Sequence, residues 1–139
     1  MTNDLNRLGY LPGQDPQTFF GQFTAAGQPY NQAPWLHFGA EGDSFSQGAS
    51  AVAGLNANYP TTVVDWVLVS LRADASASST VGSAAALLHT DGSVEFIEGF
   101  GICGVDPAED YFVVIEHRNH LIAMSHVQLP ILNLSLIHI

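Results

Sequence analysis

One acidic residue and one short polar run in this chain have the side-chain types that hydrolysis or metal binding requires. Asp65 lies inside an apolar run, where an unpaired carboxylate costs several kcal/mol of desolvation. The polar run is His117-Arg118-Asn119-His120, in which the two histidines have H-x-x-H spacing. A hydrolase would combine Asp65 with His117 or His120, and this enzyme hypothesis is the alternative to a non-catalytic role.

Strand geometry argues against a metal ion shared by the two histidines. Residues i and i+3 of a strand point to opposite faces, so the imidazoles diverge unless the chain bends between them. Asp65 is instead expected to form a structural ion pair, and in a chain with three arginines its natural partners are Arg118 and Arg72. We therefore predict a structural polar cluster, with no catalytic residue and no transition-metal site, made of Asp65, Arg72, His117, Arg118, Asn119 and His120.

Aromatic residues are concentrated in the N-terminal part of the chain, which is rich in turn-forming residues. Rings in such loops usually cover a sheet edge and are buried there. The alternative is a platform that stacks against a glycan, and its candidates are Tyr30, Trp35 and Phe38. Coplanar, exposed rings would favour the platform.

Two acidic turns offer the oxygen ligands that calcium prefers. They are Glu41-Gly42-Asp43 and the run from Asp106 to Asp110, whose candidate ligands are Asp106, Glu109 and Asp110. Neither has the regular spacing of an EF-hand, so solvated turns are the favoured interpretation. No other cofactor is predicted: the single Cys103 cannot anchor zinc alone, and no G-x-S-x-G, Walker or H-E-x-x-H motif occurs.

The composition indicates one folded domain with an acidic surface. The chain has 139 residues, 47% of them hydrophobic, and a domain of this length buries roughly two-thirds of the surface that its unfolded chain exposes. Thirteen acidic residues against three basic ones give a formal net charge of −10. This charge makes nucleic acid and anionic membrane poor partners, and no apolar stretch of about 18 residues is present to insert into a bilayer.

The elements that must position these residues are β-strands. Val63 to Arg72 and Tyr111 to Leu121 are apolar runs rich in β-branched and aromatic residues, as in strands buried on both faces. Ser83 to Thr90 ends at the turn signal Asp91-Gly92, which predicts an antiparallel return. Short strands without intervening helices predict an all-β fold, an antiparallel β-sandwich that is immunoglobulin-like in the broad sense, with a long irregular aromatic-rich N-terminal region.

Two smaller elements are also predicted. The helical spacing of Met1, Leu5 and Leu8 indicates one helical turn, with Thr2 as its N-cap. A last strand is expected from Ile122 to Leu129, after a bend near His120.

Several segments resemble a module that recurs in secreted multidomain proteins of the Bacteroidetes. They are Asp65 to Arg72, Ala85 to Gly92, Asp110 to Leu121, Met124-Ser125 and the N-terminal run Met1 to Pro12. Proteins with this module are often labelled haemagglutinin-like, and many carry a type IX secretion sorting domain. The resemblance covers about residues 1–129 and implies an extracellular or cell-surface setting, with the neighbouring domains of a parent chain as partners. It supplies no catalytic or ligand-binding residue.

Both ends of the chain are expected to differ from those of the natural protein. Leu134 to Ile139 resembles a translated sequencing adapter, and a strand that usually precedes Met1 in the module is absent. We therefore expect one domain, truncated at both ends, with a turn-rich part over residues 1–62, strands over residues 63–132 and a non-native tail over residues 133–139.

The function predicted from these observations is a non-catalytic extracellular module of a larger protein. It would act as a spacer, an adhesion unit or a ligand-binding appendage, and its ligand would be a glycan or a protein. The hydrolase hypothesis stays the alternative, and convergence of the polar side chains in one open cleft would favour it.

Overall fold

The computed structural model describes most of the chain, namely residues 1–14, 27–42, 59–97, 102, 104–120 and 122–130. Cys103 and the predicted tail, residues 133–139, lie outside these ranges. In chain order the elements are α1 (Asp4–Arg7), β1 (Val63–Arg72), a 3-10 helix (Ala77–Ser79), β2 (Thr80–His89), β3 (Val94–Glu95), β4 (Asp110–Glu116), β5 (Ala123–Met124) and β6 (Leu129–Pro130). The all-β prediction is confirmed. Among the described residues, no helix has the length and hydropathy needed to span a membrane.

Six strands form one sheet, and β1 lies near its centre. The order is β3-β2-β1-β4-β5, every pairing is antiparallel, and β6 also pairs with β4. β1 pairs with β2 along its whole length, whereas its pairing with β4 begins only at Leu68, opposite Glu116. The first residues of β1 therefore extend beyond the end of β4. The turn that follows β4 lies beside them.

Both faces of β1 are buried, because successive side chains of a strand point to opposite faces and other parts of the chain cover each face. One core is built on Val67, Val69 and Leu71. The other is built on Trp66 and Leu68, and N-terminal residues cover it, namely Leu11, Tyr30 and Tyr59. The second core thus contains residues from both the predicted N-terminal part and the strands. The described ranges contain a single sheet, so the sandwich stays a prediction.

Two strand boundaries differ from the predicted ones. β4 ends at Glu116 instead of Leu121, because the polar residues close a turn in which His120 N–H donates to the His117 carbonyl over 3.3 Å. The single last strand is replaced by the two-residue strands β5 and β6. Between them, Ser125 Oγ accepts the Val113 N–H over 3.0 Å, so a side chain takes the place of a ladder carbonyl.

The predicted hairpin is confirmed, and the predicted helical turn is present with a different start. Gly92 has a φ of 87°, which glycine adopts without steric cost, and β2 and β3 pair antiparallel on either side of the turn. The N-cap position of α1 is Asn3, not Thr2. The Asn3 side chain makes no capping bond. It donates instead to the Thr61 carbonyl over 2.6 Å and so ties α1 to the chain just before β1.

Candidate functional site

Asp65 has no exposed surface, and three protein donors hold its carboxylate. Oδ1 accepts from Arg118 Nη2 over 2.7 Å and from the Trp66 backbone N–H over 2.8 Å. Oδ2 accepts from His117 Nε2 over 3.0 Å. Burial by itself raises the pKa of Asp65, but the His117 hydrogen bond and the Arg118 charge outweigh it and hold the pKa below its usual value. The predicted pairing of Asp65 with Arg118 is confirmed.

Arg72 was also predicted as a partner of Asp65, and this prediction is wrong. Arg72 is the last residue of β1 and lies opposite Phe112. At about 3.3 Å per residue, its position is roughly 23 Å along the strand from Asp65. Asn119 does belong to the cluster, where its backbone N–H donates to His117 Nδ1 over 3.1 Å.

The two ring nitrogens of His117 have opposite hydrogen-bonding roles. An ionised carboxylate only accepts hydrogen bonds, so His117 Nε2 carries the hydrogen that Asp65 accepts. Nδ1 then has the lone pair, which accepts the Asn119 N–H. Asp65 therefore fixes both the tautomer and the orientation of the ring, as carboxylates do for histidines in metal and catalytic sites.

His120 lies beside His117, so the prediction that the two imidazoles diverge is wrong. Their Nδ1 atoms are 2.7 Å apart, and their ring centroids are 4.5 Å apart. The prediction assumed a continuous strand, but β4 ends at Glu116 and the chain turns. Because His117 Nδ1 is an acceptor, His120 Nδ1 is the donor, and the His120 ring is exposed. A hydrogen-bond chain thus runs from the buried Asp65 carboxylate to an exposed imidazole.

Two buried tyrosines fasten the N-terminal part of the chain next to this cluster. Tyr30 Oη donates to the Trp66 carbonyl over 2.8 Å and lies 3.2 Å from the Glu116 carbonyl, so it connects β1 to β4. Tyr59 Oη donates to the Pro12 carbonyl over 2.8 Å and accepts from Trp66 Nε1 over 2.9 Å. Burial raises the pKa of both phenols, and that of Tyr59 reaches about 12. The sequence does not indicate these roles, because no spacing rule connects residues so far apart in the chain.

The glycan platform, the alternative interpretation of the aromatic residues, is not formed by Tyr30, Trp35 and Phe38. Tyr30 has no exposed surface, and Trp35 packs edge-on against it with 5.1 Å between ring centroids and 87° between ring planes. Phe38 alone is well exposed, at 79%. Because the rings are neither coplanar nor exposed together, they cannot form one stacking surface. Tyr30 covers the sheet instead, as the other interpretation expects.

Glu41, in the first acidic turn, anchors its loop to the sheet. Its Oε1 accepts from His37 Nε2 over 2.8 Å and from the Ala85 N–H of β2 over 3.1 Å. Burial raises the pKa of Glu41, but these hydrogen bonds outweigh it and hold the pKa below the usual value. Asp43, the other acidic residue of this turn, lies outside the described residues.

The second acidic turn uses one carboxylate to close itself. Asp106 Oδ1 accepts the Ala108 N–H over 2.9 Å, and the Glu109 N–H donates to the Asp106 carbonyl over 3.1 Å. Asp106, Glu109 and Asp110 are all exposed, as a solvated turn requires. Within the described ranges, no group of three or more histidine, cysteine or acidic side chains is placed to hold a metal ion.

A second histidine arrangement was not anticipated from the sequence. His89 Nδ1 is 2.9 Å from Thr62 Oγ1, and His89 Nε2 is 2.8 Å from Glu95 Oε2. Hydroxyl, imidazole and carboxylate thus follow one another in the order of a nucleophile, a base and an orienting group. Thr62 immediately precedes β1, His89 is the last residue of β2, and Glu95 is the last residue of β3. The hairpin at Gly92 brings His89 and Glu95 together.

The Asp65 cluster can hold the His117 imidazole in one orientation, and His117 is hydrogen-bonded in turn to His120. The Asp65 carboxylate itself is closed to solvent. The Thr62 arrangement is open to solvent and less firmly held, since the Glu95 side chain is 54% exposed. Both are small polar groups at the end of the sheet where β1 begins. No protein-family model, curated protein or solved structure matches this chain.

Proposed function

We propose that the chain is a non-catalytic module of a larger secreted or cell-surface protein, in which it serves as a spacer, an adhesion unit or a ligand-binding appendage. One observation carries the non-catalytic part of this proposal. Both carboxylate oxygens of Asp65 and both ring nitrogens of His117 are occupied by other groups of the protein. The secreted or surface setting is supported by the resemblance of the strand segments to the Bacteroidetes module.

These occupied atoms argue against the hydrolase predicted as the alternative. A general base needs one nitrogen held by an orienting group and the other aimed at the proton that it removes. In His117 the second nitrogen faces Asn119 N–H and His120 Nδ1, not a nucleophile. The Asp65 carboxylate is fully buried and paired with Arg118, which suits a structural ion pair.

Hydrolysis at Thr62 is the second candidate function, because the distances among Thr62, His89 and Glu95 are those of a nucleophile, its base and an orienting acid. One feature makes it the weaker candidate. The side chain of Glu95 is 54% exposed, so water competes for the bond that would orient His89.

One assay separates the three hypotheses. The purified chain is incubated with chromogenic esters, peptides and glycosides, and we expect no turnover above that of buffer. Thr62→Ala and His120→Ala are assayed in parallel, with far-UV circular dichroism to verify folding. Turnover that Thr62→Ala abolishes would replace the proposal by the second candidate. Turnover that only His120→Ala abolishes would restore the hydrolase built on Asp65.

The surface setting has its own test. Intact cells that express the full-length parent protein are treated with an external protease, and the module is followed by immunoblot. We expect it to be degraded without lysis. Degradation only after lysis would place the module inside the cell and overturn this part of the proposal.

A further inference from the structure

We propose that His117 and His120 form a binding site for a divalent transition metal ion of the Zn²⁺, Cu²⁺ or Ni²⁺ class. The juxtaposition that carries this inference is the pair of Nδ1 atoms, 2.7 Å apart at the turn after β4. The proposal goes beyond the proposed function, because a module can bind a metal ion with or without catalysis.

The geometry requires only a small adjustment of the pair. Two nitrogens that each lie about 2.0–2.1 Å from a tetrahedral zinc ion are about 3.3 Å apart. The Nδ1 atoms, now 2.7 Å apart, must therefore separate by about 0.6 Å, and His120 is exposed and can make this movement. Metal binding would replace the His120–His117 hydrogen bond and the Asn119 N–H bond. Both lie at exposed positions where water can take over the lost partners. His120 would bind in the tautomer that carries its hydrogen on Nε2, which it reaches by proton exchange with water.

Asp65 supplies the support that metal-binding histidines usually have. A ligating imidazole almost always donates its other N–H to a carboxylate or a carbonyl, which fixes the tautomer that leaves the binding nitrogen unprotonated. His117 donates Nε2–H to Asp65 Oδ2 over 3.0 Å, so its Nδ1 carries the lone pair, and Asn119 N–H and His120 Nδ1 share it at 3.1 Å and 2.7 Å. Asp65 is in this sense a positioning residue, and the ion would contact the two imidazoles.

The identity of the donors selects the metal. Neutral imidazole suits zinc, copper and nickel, whereas magnesium and calcium prefer oxygen ligands. The Arg118 charge beside the cluster is matched by Asp65, and the chain as a whole carries a net charge of −10, which favours cations. Since the described residues place no third ligating side chain with this pair, water or a donor atom of a bound ligand would fill the remaining positions.

The test is titration calorimetry of the full chain with ZnCl₂, together with electron paramagnetic resonance of the Cu²⁺ complex. We expect one zinc site in the unmodified chain, a copper spectrum with two nitrogen donors, and no heat with MgCl₂. His120→Ala should abolish the site. The control His126→Ala removes an exposed histidine elsewhere and should leave the site unchanged.

Asp65→Asn tests the positioning role, and we expect zinc affinity to fall about ten- to a hundredfold. If this variant does not fold, His120→Ala still decides the question, because His120 is exposed and its removal leaves Asp65 and Arg118 paired. Equal zinc affinity in the unmodified chain and in His120→Ala would overturn the proposal, as would the absence of zinc binding by the unmodified chain. Neither result bears on the turnover assay, so the two proposals fail separately.

Discussion

Arg118 Nη2 donates to Asp65 Oδ1 over 2.7 Å, and this bond ties the turn after β4 to the first residues of β1. The Asp65 side chain is fully buried, whereas 27% of the Arg118 side chain is exposed. The arginine thus brings a counter-charge to the carboxylate while part of its own side chain stays in water. Because pairing between β1 and β4 begins only at Leu68, this ion pair continues the contact between the two strands beyond their hydrogen-bond ladder.

Removal of the buried carboxylate should destabilise the protein. Asp65→Ala leaves Arg118 without its partner, and breaking a buried pair from one side costs about 3 kcal/mol of the free energy of unfolding. Urea unfolding followed by circular dichroism measures this loss. The matched control is Asp4→Ala, which removes the exposed pair with Arg7 and should cost less than about 1 kcal/mol. Equal stability of the two variants would contradict a structural role for Asp65.

Stability should fall at alkaline pH because of the buried phenols. Burial raises the pKa of Tyr59 to about 12, against about 10 in an unfolded chain, so the folded state retains a proton that the unfolded state has lost. This contribution is fully present below pH 10 and disappears as the pH rises through about 12. The melting temperature measured from pH 8 to pH 12 should therefore decrease, and Tyr59→Phe should flatten the curve. An unchanged slope in the variant would assign the effect to other groups.

The contribution of Glu41 to stability should depend on pH in the opposite sense to that of Tyr59, since it is lost as the pH falls. Its hydrogen bonds with His37 and the Ala85 N–H hold its pKa below that of an unfolded glutamate, which is about 4.3. The contribution is present above that value and is lost as the pH falls through the lowered folded pKa. Glu41→Gln should thus weaken the acid dependence of the unfolding free energy. Glu109→Gln, at an exposed position, serves as the control and should reproduce the unmodified curve.

Gly42 should not tolerate a side chain. Its φ is +80°, a conformation that costs an L-residue about 1–2 kcal/mol, and an added Cβ would lie 2.6 Å from Trp66 Cη2. Gly42→Ala therefore has to displace the buried indole as well, which adds about 1–3 kcal/mol. Gly92→Ala is the control, since Gly92 also has a positive φ but lies in the β2–β3 hairpin. Chemical unfolding that shows the same loss for both variants would exclude the contact with Trp66.

The elements that a short stretch of sequence specifies by itself were predicted well. β1 has the predicted bounds, Val63 to Arg72, because a continuous apolar run rich in β-branched and aromatic residues is typical of a strand covered on both faces. The hairpin at Asp91-Gly92 is present because the turn needs a residue that adopts a positive φ. The strands after β4 were not predicted correctly. They are two residues long and depend on contacts such as that between Ser125 and Val113, which leave no periodic pattern.

The sequence by itself determined that Asp65 would need a cation, because the cost of burying a carboxylate depends on its apolar neighbours along the chain. Only the tertiary structure decided that Arg118 and not Arg72 meets this need, since the answer depends on which end of β1 the turn after β4 reaches. The convergence of His117 and His120 was decided in the same way. A strand would have separated the two rings. The turn brings them together, because the strand ladder stops at Glu116.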